Sequence, residues 1–99
     1  MIERVVLLRC GDRSLSGVAE VAQAVLHLLR SRPEVAAATV ARPADEAAGA
    51  AWDLRVTVRL ADEAALAAYA ADENHARFVA TWLAPRIVAR EAWTFHADP

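Results

Sequence analysis

The 99-residue sequence contains no lysine, and all 11 of its basic residues are arginines. Without lysine, a Schiff base between a side-chain amine and a carbonyl substrate is excluded. Thirteen acidic residues give a formal net charge of −2, and both signs are scattered along the chain. Phosphate backbones require a concentrated basic surface, so this pattern argues against nucleic acid as the main partner.

Cysteine and long apolar runs are also scarce. Cys10 is the single cysteine, so no internal disulfide can form. No apolar run approaches the roughly 18 residues of a membrane span. Residues 1–4 lack the basic and apolar pattern of a secretory signal. We therefore expect a cytoplasmic protein that does not contact membranes.

Apolar residues are abundant, and they make up 57% of the chain. They comprise 25 alanines and 31 larger side chains. This content excludes intrinsic disorder and is typical of a small folded protein with alanine-rich helices. A chain of this length is expected to build one core, so we predict a single domain over residues 1–99.

The first third of the chain predicts a strand and a helix. Residues 2–9 are apolar on both alternating faces, as in a strand that is buried on two sides. Ser14 or Ser16 then provides an N-cap for a helix. Apolar residues recur at helical spacing from Val18 as far as Arg30.

Further elements follow in a regular order. Weak strand character over residues 35–40 is followed by a predicted turn over 43–49. Residues 52–60 alternate strictly between apolar and polar, which is the clearest strand pattern in the chain. An alanine-rich helix over 61–71 is interrupted by Asp72-Glu73-Asn74 and resumes over 75–84. Residues 86–96 alternate again and form the last strand.

This order predicts a ferredoxin-like α+β fold, βαββαβ, with its second helix broken. Its four-stranded antiparallel sheet is covered by helices on one face only. If the uncovered face carries Val5, Leu7, Trp93 or Phe95, it is too apolar to remain in water. The simplest cover is the same face of a second copy, so we predict a homodimer.

Three segments carry a resemblance to a known family. They are Arg4-Val5-Val6-Leu7-Leu8-Arg9, Trp52-Asp53-Leu54-Arg55-Val56 with the following Asp62-Glu63-Ala64-Ala65-Leu66, and Tyr69-Ala-Ala-Asp-Glu-Asn-His75. In this order and spacing the chain resembles the stress-responsive dimeric α+β barrel (Dabb) domains over nearly its whole length. In the last segment, the His and Pro of the common family sequence His-Pro-x-His are replaced by Asp72 and Glu73.

The resemblance implies a site as well as a fold. In the olivetolic acid cyclase-type polyketide cyclases of this family, a Tyr and a His matching Tyr69 and His75 act on a poly-β-keto thioester. The His is the base and the Tyr polarises the carbonyl, without a cofactor; other members are hydroxynitrile lyases. The implied ligand is small and apolar or polyketide-like. The implied substrate pocket lies between sheet and helices and contains Arg4, Val6, Leu8, Val25, Leu54, Val56, Phe78, Trp82 and Trp93.

Several positions depart from the cyclase pattern. Arg4 and Leu54 stand where the cyclases have further histidines, and the Asp that orients the catalytic His is replaced by Trp93 or Thr94, depending on the register of the last strand. Arg4 has either Glu91 or an anionic ligand as its partner, or its head lies in water at the start of the strand. The small first-helix residues Val21, Ala22 and Val25 are expected to enlarge the pocket.

Two interpretations of the site remain open. His75 and Tyr69 serve either acid–base chemistry or simple packing, with the Tyr hydroxyl satisfied by backbone. A position near a helix N-terminus is expected to lower the pKa of His75, which would keep the imidazole neutral near pH 7. His27, His75 and His96 lack the spacing of metal ligands, so we expect no metal site.

The leading hypothesis is a cofactor-free acid–base enzyme acting on a small carbonyl compound, by polyketide or aldol-type cyclisation or a related lyase step. The alternative is a non-catalytic dimeric stress-responsive or small-ligand-binding protein. A third hypothesis, a cofactor-independent monooxygenase, has no specific residue in its favour.

Overall fold

The computed structural model describes residues 1–98 and contains four strands and four α-helices in that range. In chain order they are β1 (Ile2–Cys10), α1 (Leu15–Arg30), β2 (Val35–Ala41), α2 (Glu46–Ala51), β3 (Leu54–Leu60), α3 (Glu63–Ala70), α4 (Glu73–Phe78) and β4 (Ile87–His96). A π-helical segment, Val79–Leu83, and a 3₁₀ turn, Ala84–Arg86, lead from α4 into β4.

The strands form one antiparallel sheet in the order β2-β3-β1-β4. This arrangement is the ferredoxin-like α+β fold, and it confirms the fold predicted from the sequence. The alternation of β3 is confirmed as well. Its apolar residues Leu54, Val56, Val58 and Leu60 are all buried, whereas Arg55 and Arg59 are exposed.

Helix α1 covers the buried face of the sheet. Of the two candidate caps, Ser14 is the N-cap, and its hydroxyl oxygen accepts a hydrogen bond from Gly17 N at 3.1 Å. One stripe of the helix is buried against the sheet at the spacing of an amphipathic helix. The members of this stripe are Val18, Val21, Ala22, Val25 and Leu29.

The predicted turn over residues 43–49 is wrong for its second half, where the structure has the short helix α2. Asp45 caps this helix, and its carboxylate accepts a hydrogen bond from Ala48 N at 2.8 Å. Alanines then favour helix over turn despite Gly49. Because Trp52 N donates to Ala48 O at the end of α2, β3 starts at Leu54 rather than at residue 52.

The second helical segment starts two residues earlier than the sequence predicted. Asp72 is the N-cap of α4, so the second helical segment begins at Glu73 rather than at His75. Pro85 lies inside the 3₁₀ turn at the end of this region.

The other face of the sheet, here called the open face, is not covered by any helix of residues 1–98. Val5 and Leu7 of β1 are half-buried there, and Trp93 and Phe95 of β4 are 56% and 54% exposed. The register pairs Val5 with Trp93, so these side chains are neighbours on one surface. No helix in the described range has the length and apolar content to cross a bilayer.

Candidate acid–base and ligand site

The aromatic rings of Tyr69 and His75 are in contact under the covered face of the sheet. Tyr69 lies in the last turn of α3 and His75 in the first turn of α4. On one continuous helix, residues six apart would point in different directions. Because the chain breaks at Ala71 and Asp72, the second helix turns back, and the ring centroids are 4.7 Å apart with their planes tilted by 51°.

The break itself is fixed by an ion-pair cluster from the loop after α1. Asp72 Oδ1 accepts a hydrogen bond from His75 N at 2.8 Å, which caps α4 at the site. The other carboxylate oxygen of Asp72 pairs with the guanidinium of Arg32. Arg32 also contacts Glu34, with Nε and Oε1 3.2 Å apart. The loop therefore holds the backbone that carries His75.

The two rings have opposite shifts in pKa. Burial lowers the pKa of His75 below its ordinary value, and the charges of Arg32, Arg4 and Arg90 lower it further. The expected direction is confirmed, but burial is its main cause. Burial raises the pKa of the Tyr69 hydroxyl above its ordinary value, against smaller opposing effects of Arg4 and Arg90. At neutral pH the pair is therefore an uncharged imidazole beside a protonated phenol.

His75 Nδ1 is buried and has no hydrogen-bond partner within residues 1–98. A catalytic imidazole usually has one nitrogen bonded to a group that fixes its tautomer and its orientation. Here the ring is held instead by contact with Tyr69 and by the capped backbone.

The Tyr69–His75 pair lies where two spaces meet. The inner one, here called the inner chamber, is a mainly apolar cavity of about 40 Å³ between sheet and helices. The outer one, here called the outer groove, is more open and has a volume of about 390 Å³. Both spaces are lined by Tyr69, His75, Arg4, Val79 and Arg90. A buried water needs roughly 10–15 Å³ of such volume, so the inner chamber accommodates only a few atoms.

The structure brings six of the nine predicted pocket residues to the inner chamber. They are Arg4, Val6, Leu8, Val25, Val56 and Phe78, together with Tyr69 and His75. Of the three small residues predicted to enlarge the pocket, only Val25 lines it. Val21 and Ala22 pack in the core instead.

The other three predicted pocket residues lie elsewhere. Leu54 is 1% exposed and belongs to the packed core beside the chamber. Trp82 does not line the chamber. It stacks on Phe78 with ring centroids 5.3 Å apart, and the Arg86 guanidinium lies over its ring at 4.1 Å. Trp93 lies on the open face, because it is the neighbour of Val5 in the register.

The register of β4 also corrects the expectation for Arg4. Thr94, not Trp93, is on the same face as the pocket, and Arg4 Nη1 donates a hydrogen bond to Thr94 Oγ1 at 3.1 Å. Glu91 is paired with Leu7 and therefore points to the open face. Glu91 is thus not the partner of Arg4.

Sequence reasoning missed Arg90 and the loop residues Arg32 and Glu34. The signal for Arg90 was the alternation of β4, which places it in phase with Thr94 once the strand is registered against β1. No local pattern marks the loop residues. In the part of the chain that the structure describes, no three His, Cys, Asp or Glu side chains are grouped so as to hold a metal ion.

The four-stranded antiparallel sheet with helices on one face defines the chain as a ferredoxin-like α+β domain. Residues 2–92 match the Stress responsive A/B Barrel Domain (Dabb) family, and the chain belongs to that family. A comparison with curated proteins gave no match. The narrower similarity to the olivetolic acid cyclase-type enzymes stays a prediction.

Solved structures share this fold. A Dabb family protein with a ferredoxin-like fold from Mesorhizobium loti is 15% identical, with a TM-score of 0.85 over 99% of this chain and 97% of that one. A protein from Arabidopsis thaliana is 15% identical, with a TM-score of 0.84 over 100% and 97%. A dimeric ferredoxin-like protein of unknown function from Thermobifida fusca is 27% identical, with a TM-score of 0.75 over 97% and 90%.

Proposed function

We propose that this protein is a cofactor-free acid–base enzyme that removes a proton next to a carbonyl group of a small substrate. The contact between the Tyr69 and His75 rings, at the junction of the inner chamber and the outer groove, is the observation that supports this proposal. A substrate carbonyl placed at this junction lies beside both a base and a hydrogen-bond donor.

The opposite shifts in pKa suit these two roles. A lowered pKa keeps His75 neutral at pH 7, so its imidazole can accept the proton. A raised pKa keeps Tyr69 protonated, so its hydroxyl can donate to the oxyanion that develops on the carbonyl oxygen. The mainly apolar walls of the inner chamber lower the local dielectric constant, and this strengthens the hydrogen bond.

Proton removal next to a carbonyl is the first step of polyketide and aldol-type cyclisations, and we propose a reaction of this class or a related lyase step. The small volume of the inner chamber favours a compact substrate, with any remainder in the outer groove. A polyketide chain would extend into this groove.

We propose in addition that the active form is a homodimer joined through the open face. Val5, Leu7, Trp93 and Phe95 form an apolar surface there, and Trp93 and Phe95 are more than half exposed in the single chain. Burial of such aromatic side chains is a large favourable term in association. The Thermobifida fusca relative is described as dimeric, and this description supports a homodimer.

A second candidate is a non-catalytic protein of the same dimeric form that holds a small ligand, as a stress-responsive binding protein would. The unpartnered His75 Nδ1 favours it, because no carboxylate in residues 1–98 fixes the tautomer that a base requires. In this case Tyr69 and His75 would provide contact area only.

Proton exchange in D₂O separates the two candidates. The protein is incubated with 2-pentanone, and loss of the protons next to the carbonyl is followed by NMR. We expect the wild type to accelerate exchange, His75→Gln to lose about 10²-fold or more of that rate, and Tyr69→Phe to lose about tenfold or more. His27→Gln, an exposed position on α1, is the matched control. Equal rates for the wild type and both site variants would favour the binding protein.

A further inference from the structure

Two arginines from neighbouring strands border the outer groove. Arg4 comes from β1 and Arg90 from β4, and both also reach the inner chamber. Leu8 pairs with Arg90, and Arg4 pairs with Thr94, so the two arginines share one face of the sheet and are separated by about 13 Å along the strands. The pair Val6 and Ala92 lies between them on this face.

The charges of these two arginines are not neutralised within the described chain. Neither guanidinium has a carboxylate oxygen within 4.0 Å among residues 1–98, and the hydrogen bond that Arg4 donates goes to the neutral hydroxyl of Thr94. Arg32 is different, because it contacts both Glu34 and Asp72. Two positive charges without a carboxylate partner in residues 1–98 therefore border the outer groove.

These charges act on the Tyr69–His75 pair. Arg4 and Arg90 both lower the pKa of His75 and that of Tyr69, so their fields reach both rings. A negative group bound between the arginines would lie next to the proposed acid–base pair. A carboxylate suits a guanidinium fork, because its two oxygens accept parallel hydrogen bonds.

We propose that the substrate is a small keto acid, whose carboxylate binds Arg4 and Arg90 in the outer groove. This inference rests on the proposed function, since the carbonyl of the acid would then lie against Tyr69 and His75. The apolar end of the molecule would occupy the inner chamber, which has room for only a few atoms. The arrangement selects for an anionic head, a carbonyl a short distance along the chain and a short apolar end.

Binding of 4-oxopentanoate and its neutral analogue 4-oxopentanamide tests this proposal by calorimetry or NMR titration. A hydrogen bond to a charged group contributes more to binding than one to a neutral group, so we expect the acid to bind at least about tenfold more tightly than the amide. Arg4→Gln and Arg90→Gln should each weaken binding of the acid by about tenfold and leave binding of the amide unchanged. Unchanged amide binding also shows that the variants fold.

The exposed Arg42, which lines neither space, provides the matched control, and Arg42→Gln should bind the acid as the wild type does. Three results would overturn the proposal: equal binding of acid and amide, wild-type binding by both site variants, or inorganic phosphate binding as tightly as the keto acid. The last would show that charge alone is recognised.

Failure of this inference differs from failure of the proposed function. If 2-pentanone exchanges its protons in a His75-dependent manner but the acid has no advantage over the amide, only the keto-acid assignment fails. If the acid binds through both arginines but no proton exchange depends on His75, the acid–base function fails.

Discussion

The two faces of the sheet are built from the same strands but have opposite chemistry. On the face covered by helices, aliphatic side chains are buried, and polar groups such as Arg4, Tyr69 and His75 are concentrated around the chamber and groove. On the open face, charged residues such as Arg55 are exposed, and the large aromatic side chains of Trp93 and Phe95 are exposed beside them. The covered face is thus mainly apolar with polar groups around the site, whereas the open face is mainly exposed to solvent and carries large aromatic side chains.

Strand β1 shows how one sequence serves both faces. Its residues alternate, so Arg4, Val6 and Leu8 point to the chamber, while Val5 and Leu7 point to the open face. A shift of the register by one residue would exchange the two sets. The pairing of β1 with β3 and β4 therefore determines both the site and the surface proposed for association.

The largest expected effect compares a leucine of each face. Leu54 is 1% exposed, and Leu54→Ala leaves a cavity in the core, so we expect the free energy of unfolding to fall by about 2–5 kcal/mol. Leu7 is only half-buried in the single chain, and Leu7→Ala should cost less than half as much at protein concentrations too low for association. Urea unfolding at low concentration measures both. Equal losses would contradict the contrast between the faces.

The next effect addresses the open face alone. Trp93→Glu places a charge in the apolar surface, and we expect the dimer to dissociate with a Kd at least about a hundredfold higher, which corresponds to about 2.7 kcal/mol. The stability of the single chain should change little, because Trp93 is already 56% exposed. Sedimentation equilibrium measures the association, with Arg42→Gln as control. A wild-type protein that is monomeric at micromolar concentration would refute the homodimer.

The fold could be predicted from the sequence because its main strands and helices have long, strongly periodic patterns. The alternation of residues 52–60 and the helical stripe of α1 each bury one face, and the structure contains both. Helix α2 was missed, since Pro43 and Gly49 are strong turn signals, whereas its cap, Asp45, is a single residue. Boundaries set by single hydrogen bonds are hard to predict from local pattern.

The site could be predicted in part. The break at Asp72 explains how Tyr69 and His75 meet, and the sequence indicated both the residues and the break. The sequence left open whether Trp93 or Thr94 faces the pocket, and Trp93 was included among the pocket residues because an apolar phase normally points to the core. In β4, Trp93 and Phe95 point to the open face, whereas Arg90 and the residues that alternate with it point to the site. Only the pairing with β1 reveals this, and a single sequence does not contain it.

The smallest expected effect is a change with pH in the free energy of unfolding, caused by His75 on the covered side of the sheet. Burial lowers the pKa of His75 below its ordinary value of 6.5, while the unfolded chain keeps the ordinary value. Between the two values the unfolded state binds more protons than the folded state, so the free energy of unfolding rises with pH there. The contribution of His75 is complete above pH 6.5 and is lost as the pH falls through the lowered pKa.

Replacement of the histidine removes this dependence. We expect the difference in the free energy of unfolding between pH 7.5 and pH 5 to become smaller in His75→Gln than in the wild type, as measured by urea unfolding at both pH values. The exposed His27 supplies the matched variant, and His27→Gln should keep the wild-type difference. If His75→Gln kept the whole difference, burial of the imidazole would not control its protonation. The pKa of His75 would then be the same in the folded and the unfolded chain, and neither burial nor the charges of Arg32, Arg4 and Arg90 would account for the uncharged base that proton removal requires at neutral pH.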